Sequence, residues 1–239
     1  MESEEIALRA EDRERRVRDG VPLQLTVIRH AEPDWGSDAD PRLTERGQRT
    51  ARRLADHLRD CQFGAIVSSP LRRARETAAF VAEVQNIKPV VLDDLAEIAV
   101  PLKGNISQAE VDAYFRSAAL RPLNQHWEGF PGGESFHAFH KRVTVAITEM
   151  LKPYGVLARE ADGFQIWHSP SRPNILRLAV VAHGGTNAVM LTHLLGIAPV
   201  PWEWIRFETP LAAYSVVGLR PLNDQAHIWS LQQFGRRVE

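Results

Sequence analysis

Strands alternating with helices predict an α/β protein, a three-layer α/β/α arrangement with a mostly parallel central sheet and a small helical insertion over the active site. Three observations carry the prediction. Short apolar, β-branched runs recur at QLTVIR, AIVSS and LRLAVVA; each breaks into a polar or glycine-bearing turn; and a segment of helical apolar spacing follows each turn.

Taken in order, the segment from Met1 to about Pro22 mixes Glu, Asp and Arg without an apolar stripe and reads as a charged leader or frayed helix. Residues 23–239 are expected to form one domain. Gln24 to Arg29 is a buried strand, and Thr44 is placed to cap a helix running to Leu58 with Ala51, Leu54, Ala55 and Leu58 on one face. Ala65 to Ser69 is the second strand; Ser69 and Pro70 suggest an N-cap and a first-turn proline for the helix LRRARETAAFVAEV. PVVL at Pro89 to Leu92 is a third, short strand. Residues of about 98–130 form the insertion, inside which SQAE at Ser107 has the spacing of a capping box. Phe136, Phe139, Val143, Ile147, Met150 and Leu151 then share one helical face. The stretch 153–176, punctuated by Pro153, Gly155, Pro170 and Pro173, reads as a long connection or a ragged hairpin. Leu176 to Ala182 is the most continuous buried strand, and it breaks at His183, Gly184 and Gly185 into a helix beginning near Thr186. AYSVVGL and HIWSLQQF are the closing strands.

With 29 basic against 30 acidic side chains, no bulk charge draws the chain to nucleic acid or to a lipid surface, so any anion site must be local. Cys61 is the sole cysteine and has no partner for an internal disulfide, and no basic-then-apolar signal opens the chain, so a cytoplasmic location is expected. No run of about 18 apolar residues occurs, which argues against a membrane-spanning helix.

In parallel α/β sheets ligands sit beyond the carboxyl ends of strands. Three such ends carry residues suited to one job. The first ends in Arg29 and His30; the second leads through SSPL to Arg72, Arg73 and Arg75; the third ends in His183 with Gly184 and Gly185 behind it. Guanidinium groups grip phosphate oxygens through charge-assisted bonds, and a helix opening after a glycine pair offers backbone N–H groups to the same anion. A neutral imidazole is a competent nucleophile toward phosphorus, which points to His30 beside Arg29. A protonated His183 would offset charge developing in the transition state.

RHAEPDW at Arg29 to Trp35, LTERGQ at Leu43 to Gln48, SSPLRRARETA at Ser68 to Ala78, PGGES at Pro131 to Ser135 and VVAHGGTN at Val180 to Asn187 together resemble the histidine phosphatase superfamily, also called phosphoglycerate mutase-like. The segments occur in that family's order and extend from about residue 24 to 219. The resemblance implies an α/β sheet fold and no metal or organic cofactor. It matches His30 to the phosphorylated histidine, Arg29 and Arg73 to the phosphate-binding arginines, His183 to the second pocket histidine and Glu97 to the acid after the third strand. Gly184 belongs to the same phosphate-binding turn. Where the family usually continues from that glutamate into a glycine and an aromatic-Glu-Gly element, this chain reads LAEIAVPLKGNIS, so Glu32 and Glu134 stand beside Glu97 as alternative acids.

The function this implies is hydrolysis of small phosphomonoesters through a phosphohistidine. The rivals are mutase-type phosphotransfer and a non-catalytic relative that binds phosphate or a partner. A mutase must hold a bisphosphorylated intermediate and exclude water, which calls for basic residues in the insertion; only Lys103, Arg116, Arg121 and His126 are there. His137 and His140 stand three apart on a helix but have no evident carboxylate or cysteine to complete a metal site. Trp202, Trp204 and Phe207 read first as packing and second as a binding platform. The substrate and the oligomeric state, a homodimer included, stay open.

Overall fold

The computed structural model describes residues 23–35, 40–101, 107–161, 163–169, 177–223 and 226–238. The charged leader and Lys103 lie outside these residues. Eight strands form one sheet: β1 (Gln24–Arg29), β2 (Ala65–Ser68), β3 (Val90–Val91), β4 (Leu157–Ala161), β5 (Phe164–His168), β6 (Arg177–Ala182), β7 (Tyr214–Pro221) and β8 (His227–Arg236). Their order across the sheet is β3-β2-β6-β1-β7-β8-β5-β4. The four strands from β3 to β1 are mutually parallel, and every pairing from β1–β7 onward is antiparallel.

The parallel strands are apolar on both faces because both faces are covered. In β6, Leu178, Val180 and Ala182 face one core while Ala179 and Val181 face the other; β1 divides in the same way between Leu25 and Val27 on one side and Ile28 on the other. Helices α1 (Glu45–His57) and α2 (Arg72–Gln85) cover the Ile28 face through Leu54, Ala55, Ala74, Ala78 and Val81. On the opposite face lie α4 (Phe136–Leu151) and α5 (Gly184–Leu194). All six residues that define the apolar stripe of α4 are buried, each contributing roughly 1.5 to 3 kcal/mol of transfer free energy.

Thr44 caps α1 by accepting from the Gly47 amide, and Ser107 with Glu110 completes a capping box at the start of α3 (Gln108–Ala119), the helix of the insertion. One expectation needs revision, and of the two readings of 153–176 the described residues support the hairpin. Helix α2 starts at Arg72 with Leu71 in the cap position; Ser69 stands two residues earlier, its hydroxyl 2.7 Å from His183 Nε2 and accepting from the Leu71 amide at 3.3 Å. The 153–176 stretch contains a genuine antiparallel hairpin, β4 with β5, whose Trp167 joins the sheet at His227 of β8.

Candidate active site

The carboxyl ends of β1, β2 and β6 are stitched together one residue past the strands. The His30 amide donates to Ala182 O at 2.9 Å, and the Ser69 amide donates to Val181 O at 2.9 Å. His30, Ser69 and His183 are therefore held by ladder geometry and not by loop packing, and all three are buried.

The His30 ring has a defined tautomer. Its Nδ1 lies 2.7 Å from Ala31 O, a pure acceptor, so the ring proton sits on Nδ1; Nε2 then presents its lone pair and accepts from Arg73 Nε at 3.2 Å. Burial, and after it the Arg73 cation, holds the His30 pKa well below the ordinary imidazole value, with the Ala31 bond opposing and Arg29 reinforcing. A neutral imidazole with its lone pair in the pocket is the protonation state a nucleophile requires. Arg73 is itself buried, with its guanidinium 5.2 Å from the Trp35 ring centroid and 3.8 Å from Asp40. Arg72 and Arg75 point outward, Arg72 pairing with Glu76 at 2.8 Å.

Arg29 reaches under the start of α5. Its Nη1 donates to Thr209 O at 2.6 Å, while its Nε is buried with no hydrogen-bond partner among the described residues. A Cβ on Gly184 would stand 3.4 Å from Arg29 Cζ, so a small residue there keeps the guanidinium close to the helix N-terminus. His183 packs 5.1 Å from His30, ring centroid to centroid, and its Nε2 is 2.7 Å from Ser69 Oγ. Its Nδ1 is the second buried polar atom here without a partner among the described residues. Buried polar atoms without partners are costly in a native fold, and Arg29 Nε, a donor on a residue that lines the cavity, suits an anionic ligand. Burial first, then Arg73, His30 and Arg29, holds the His183 pKa well below the ordinary imidazole value; the role expected of it was for a ring protonated among phosphate oxygens.

The expected anion contact at the helix N-terminus is taken in part by protein. Gly185 and Thr186 amides donate to the Glu97 carboxylate at 2.8 and 3.1 Å, as does the Ile98 amide at 3.1 Å. A Cβ on Gly185 would fall 2.5 Å from Glu97 Oε1, so glycine is what allows the carboxylate to dock. Thr186 Oγ1 lies 3.1 Å from Ala96 O and 3.3 Å from Glu97 Oε1.

The two alternative acids are occupied elsewhere. Glu32 accepts from Thr44 Oγ1 at 2.8 Å at the head of α1. Glu134 makes a bidentate pair with Arg142 at 2.7 and 2.8 Å and accepts from the Ala99 amide. Arg142, which sequence reasoning passed over as one more helical cation, also donates to the carbonyls of Asp94, Ala96 and Glu97, and so fixes the turn that aims Glu97. Ser69 was likewise missed, having been read as a cap.

The site opens into a cavity of about 860 Å³. Its inner end is formed by Arg29, His30, Arg73 and Glu97, and the insertion supplies Val111, Asp112 and Phe115 to its outer wall. Two of the insertion's cations are engaged outside the cavity: Arg121 pairs with Glu128 at 3.1 Å, and His126 accepts from Trp202 Nε1 at 3.0 Å. His137 stacks on Trp127, ring centroids 4.4 Å apart, while burial, opposed by the Glu203 charge and reinforced by His137, lowers the His140 pKa.

The histidine phosphatase superfamily (branch 1) pattern matches residues 25–232. Phosphoserine phosphatase 1 of Hydrogenobacter thermophilus is 32% identical over 202 residues, covering 82% of this chain and 86% of that protein. A probable phosphoglycerate mutase of Enterobacter sp. is 27% identical over 186 residues, 73% of this chain and 76% of its own length. Among solved structures, mycobacterial glucosyl-3-phosphoglycerate phosphatase in complex with inorganic phosphate superimposes with a TM-score of 0.67 at 25% identity, over 90% of this chain and 98% of that one. The chain therefore belongs to the histidine phosphatase superfamily, branch 1, and is an enzyme of that phosphatase type.

Proposed function

We propose that this chain hydrolyses small phosphomonoesters through a phosphohistidine on His30. The observation that carries the reading is the His30 tautomer: a neutral ring, anchored at Nδ1, with Nε2 turned toward Arg73. The Nε2 lone pair forms the N–P bond as the ester P–O bond breaks, and Arg73 transfers its hydrogen bond from the imidazole to a phosphoryl oxygen. Arg29 Nε and His183 Nδ1 donate to the other oxygens, which accounts for their lack of protein partners. Glu97 gives its proton to the leaving alkoxide. In the second step water attacks phosphorus, Glu97 takes a proton from it, and the N–P bond pair returns to Nε2, releasing inorganic phosphate.

Hydrolysis is favoured over mutase-type transfer because the cavity's described lining holds no Lys or Arg beyond Arg29 and Arg73, leaving a second phosphate without a cationic seat. A protein that merely bound phosphate would have no need of the lone pair at Nε2. The reading places the enzyme in the cytosol, acting on a small phosphorylated metabolite, with a second copy of the chain as the protein partner it allows for.

The test is turnover of an aryl phosphate with chelator present, together with alkaline-detergent quenching of the enzyme on radiolabelled substrate and separate acid and base treatment of the trapped protein. Chelator-resistant hydrolysis and an acid-labile, base-stable phosphoenzyme, both lost in His30→Ala, are expected. Tight phosphate binding without turnover by the wild type would overturn the reading.

A further inference from the structure

Of the three aromatic residues in PVPWEWIRFE, the structure separates Trp202 from Trp204. Trp202 is core, buried against Phe130 at 5.4 Å and Phe136 at 5.0 Å. Trp204 is only half buried and lines the cavity. A Cβ added to Gly185 would meet Trp204 Cε3 at 3.0 Å on one side and the Glu97 carboxylate on the other, so the indole lies directly beside the reacting end of the pocket.

The indole's position is fixed by its supports. Trp202 adopts left-handed backbone at φ 63°, a conformation that a bulky residue keeps only when its surroundings demand it. The buried Glu203 pins that turn, accepting from the Val200 amide at 2.7 Å and from Thr192 Oγ1 at 3.0 Å. Trp204 then meets Phe115 of α3 edge to face at 6.1 Å and Phe136 at 5.5 Å. Val100 and Val111 also line the cavity, and so do two acidic residues, Asp112 and Glu208, the latter close enough to Arg29 to oppose the lowering of its pKa by burial. Among the described residues, the cations lining the cavity are confined to the phosphate end.

Resting on the phosphomonoesterase reading, we propose that the Trp204–Phe115 wall is the leaving-group subsite and selects monoesters of apolar alcohols of about aromatic-ring size, discriminating against alcohols that carry a carboxylate. A flat apolar group stacks on or against the indole without desolvating a charge, whereas a carboxylate there is desolvated against apolar and aromatic side chains, and the described cavity lining offers no cation beyond Arg29 and Arg73 at the phosphate end. The 32% identical relative is a phosphoserine phosphatase, so this subsite is where the present chain is expected to diverge in substrate.

The experiment compares kcat/KM for three alkyl monoesters whose leaving alcohols have similar acidity: ethyl phosphate, 2-phenylethyl phosphate and the latter with a para carboxylate. A phenylethyl-to-ethyl ratio of at least about 10 is expected from apolar contact alone, and the carboxylate is expected to cancel most of that gain. Trp204→Ala should bring the ratio toward one while Trp204→Phe keeps most of it; the ratio is internal to each protein, so partial loss of folded enzyme does not affect it, and Phe115→Leu gives an independent variant. Equal kcat/KM across the series, or preference for the carboxylate, overturns the inference and leaves the phosphatase reading intact. Absence of turnover on all three overturns the phosphatase reading; the subsite is then read from Kd values of the matching phosphonates, and equal affinities for ethyl and phenylethyl would overturn it.

Discussion

The parallel half of the sheet and its antiparallel half are built from equally good strands, yet they do different work. From β3 to β1 all strands run the same way, so their carboxyl ends meet at one edge, and three of the four ends hold site residues there: Arg29 with His30, Ser69, and His183. From β7 to β4 the direction alternates, so successive ends fall on opposite edges, and among the described residues the contribution to the site is the Thr209–Ala213 approach to β7. Parallel order concentrates chemistry at one edge. Antiparallel order widens the platform and, through Trp167 and Trp229, closes the core behind it.

If that division holds, the largest effects arise at the parallel edge. His30→Ala is expected to lower kcat by at least about 10⁴-fold, as removal of a covalent nucleophile does, with near-wild-type circular dichroism; residual turnover within tenfold of wild type would break the comparison. Arg142→Met comes next. It frees the turn carrying Glu97 and leaves Glu134 without its cation, at a cost of about 2 to 3 kcal/mol in chemical denaturation and with a greater loss in kcat than in KM. An unchanged kcat would show that the turn does not position Glu97.

The third prediction uses the joint between the halves. His193 of α5 meets Trp167 of β5 edge to face at 5.8 Å and bonds Thr148, and burial pushes its pKa from 6.5 down to about 4. The folded chain thus refuses a proton that the unfolded chain accepts below about pH 6.5, so stability falls as pH falls from 6.5 toward 4. Thermal melts of His193→Gln over that range should fall less steeply than those of wild type. An identical slope would move the acid sensitivity to His30 and His183. The smallest effect is expected at Ile228, exposed on β8: Ile228→Thr should change stability by less than about 0.5 kcal/mol and kcat/KM by less than twofold.

Legibility from sequence follows the same line. β1, β2 and β6 stand out because burial on both faces demands unbroken apolar runs, and β6 has every described residue after Arg177 buried. β4 and β5 carry half-exposed side chains around a tight turn, and their pattern merges into the neighbouring prolines and glycines. In the site, His30, Arg29 and His183 were legible as candidates because adjacent strand ends in an α/β fold converge, whereas Arg73 was told from Arg72 and Arg75 by family position alone. Arg142 and Ser69 were not legible. Arg142 reaches back across the turn at residues 94–97, a contact with no sequence period, and Ser69 sits where a capping serine would also sit. Glu97 was placed in the pocket by family position, but its docking on α5 depends on Gly185, a glycine with an ordinary role on paper and a steric one in space.

The amides of His30 and Ser69, bonded to Ala182 and Val181, belong to the central ladder and not to a surface loop. Such protons exchange with solvent only when the domain opens as a whole. Heat inactivation and global unfolding should therefore coincide, and the enzyme should lack the partly melted, inactive state common where catalytic groups ride on mobile loops. For the same reason mutational drift in the insertion, which contributes the outer wall, can alter what is bound while the hydrolytic machinery keeps its cooperative protection.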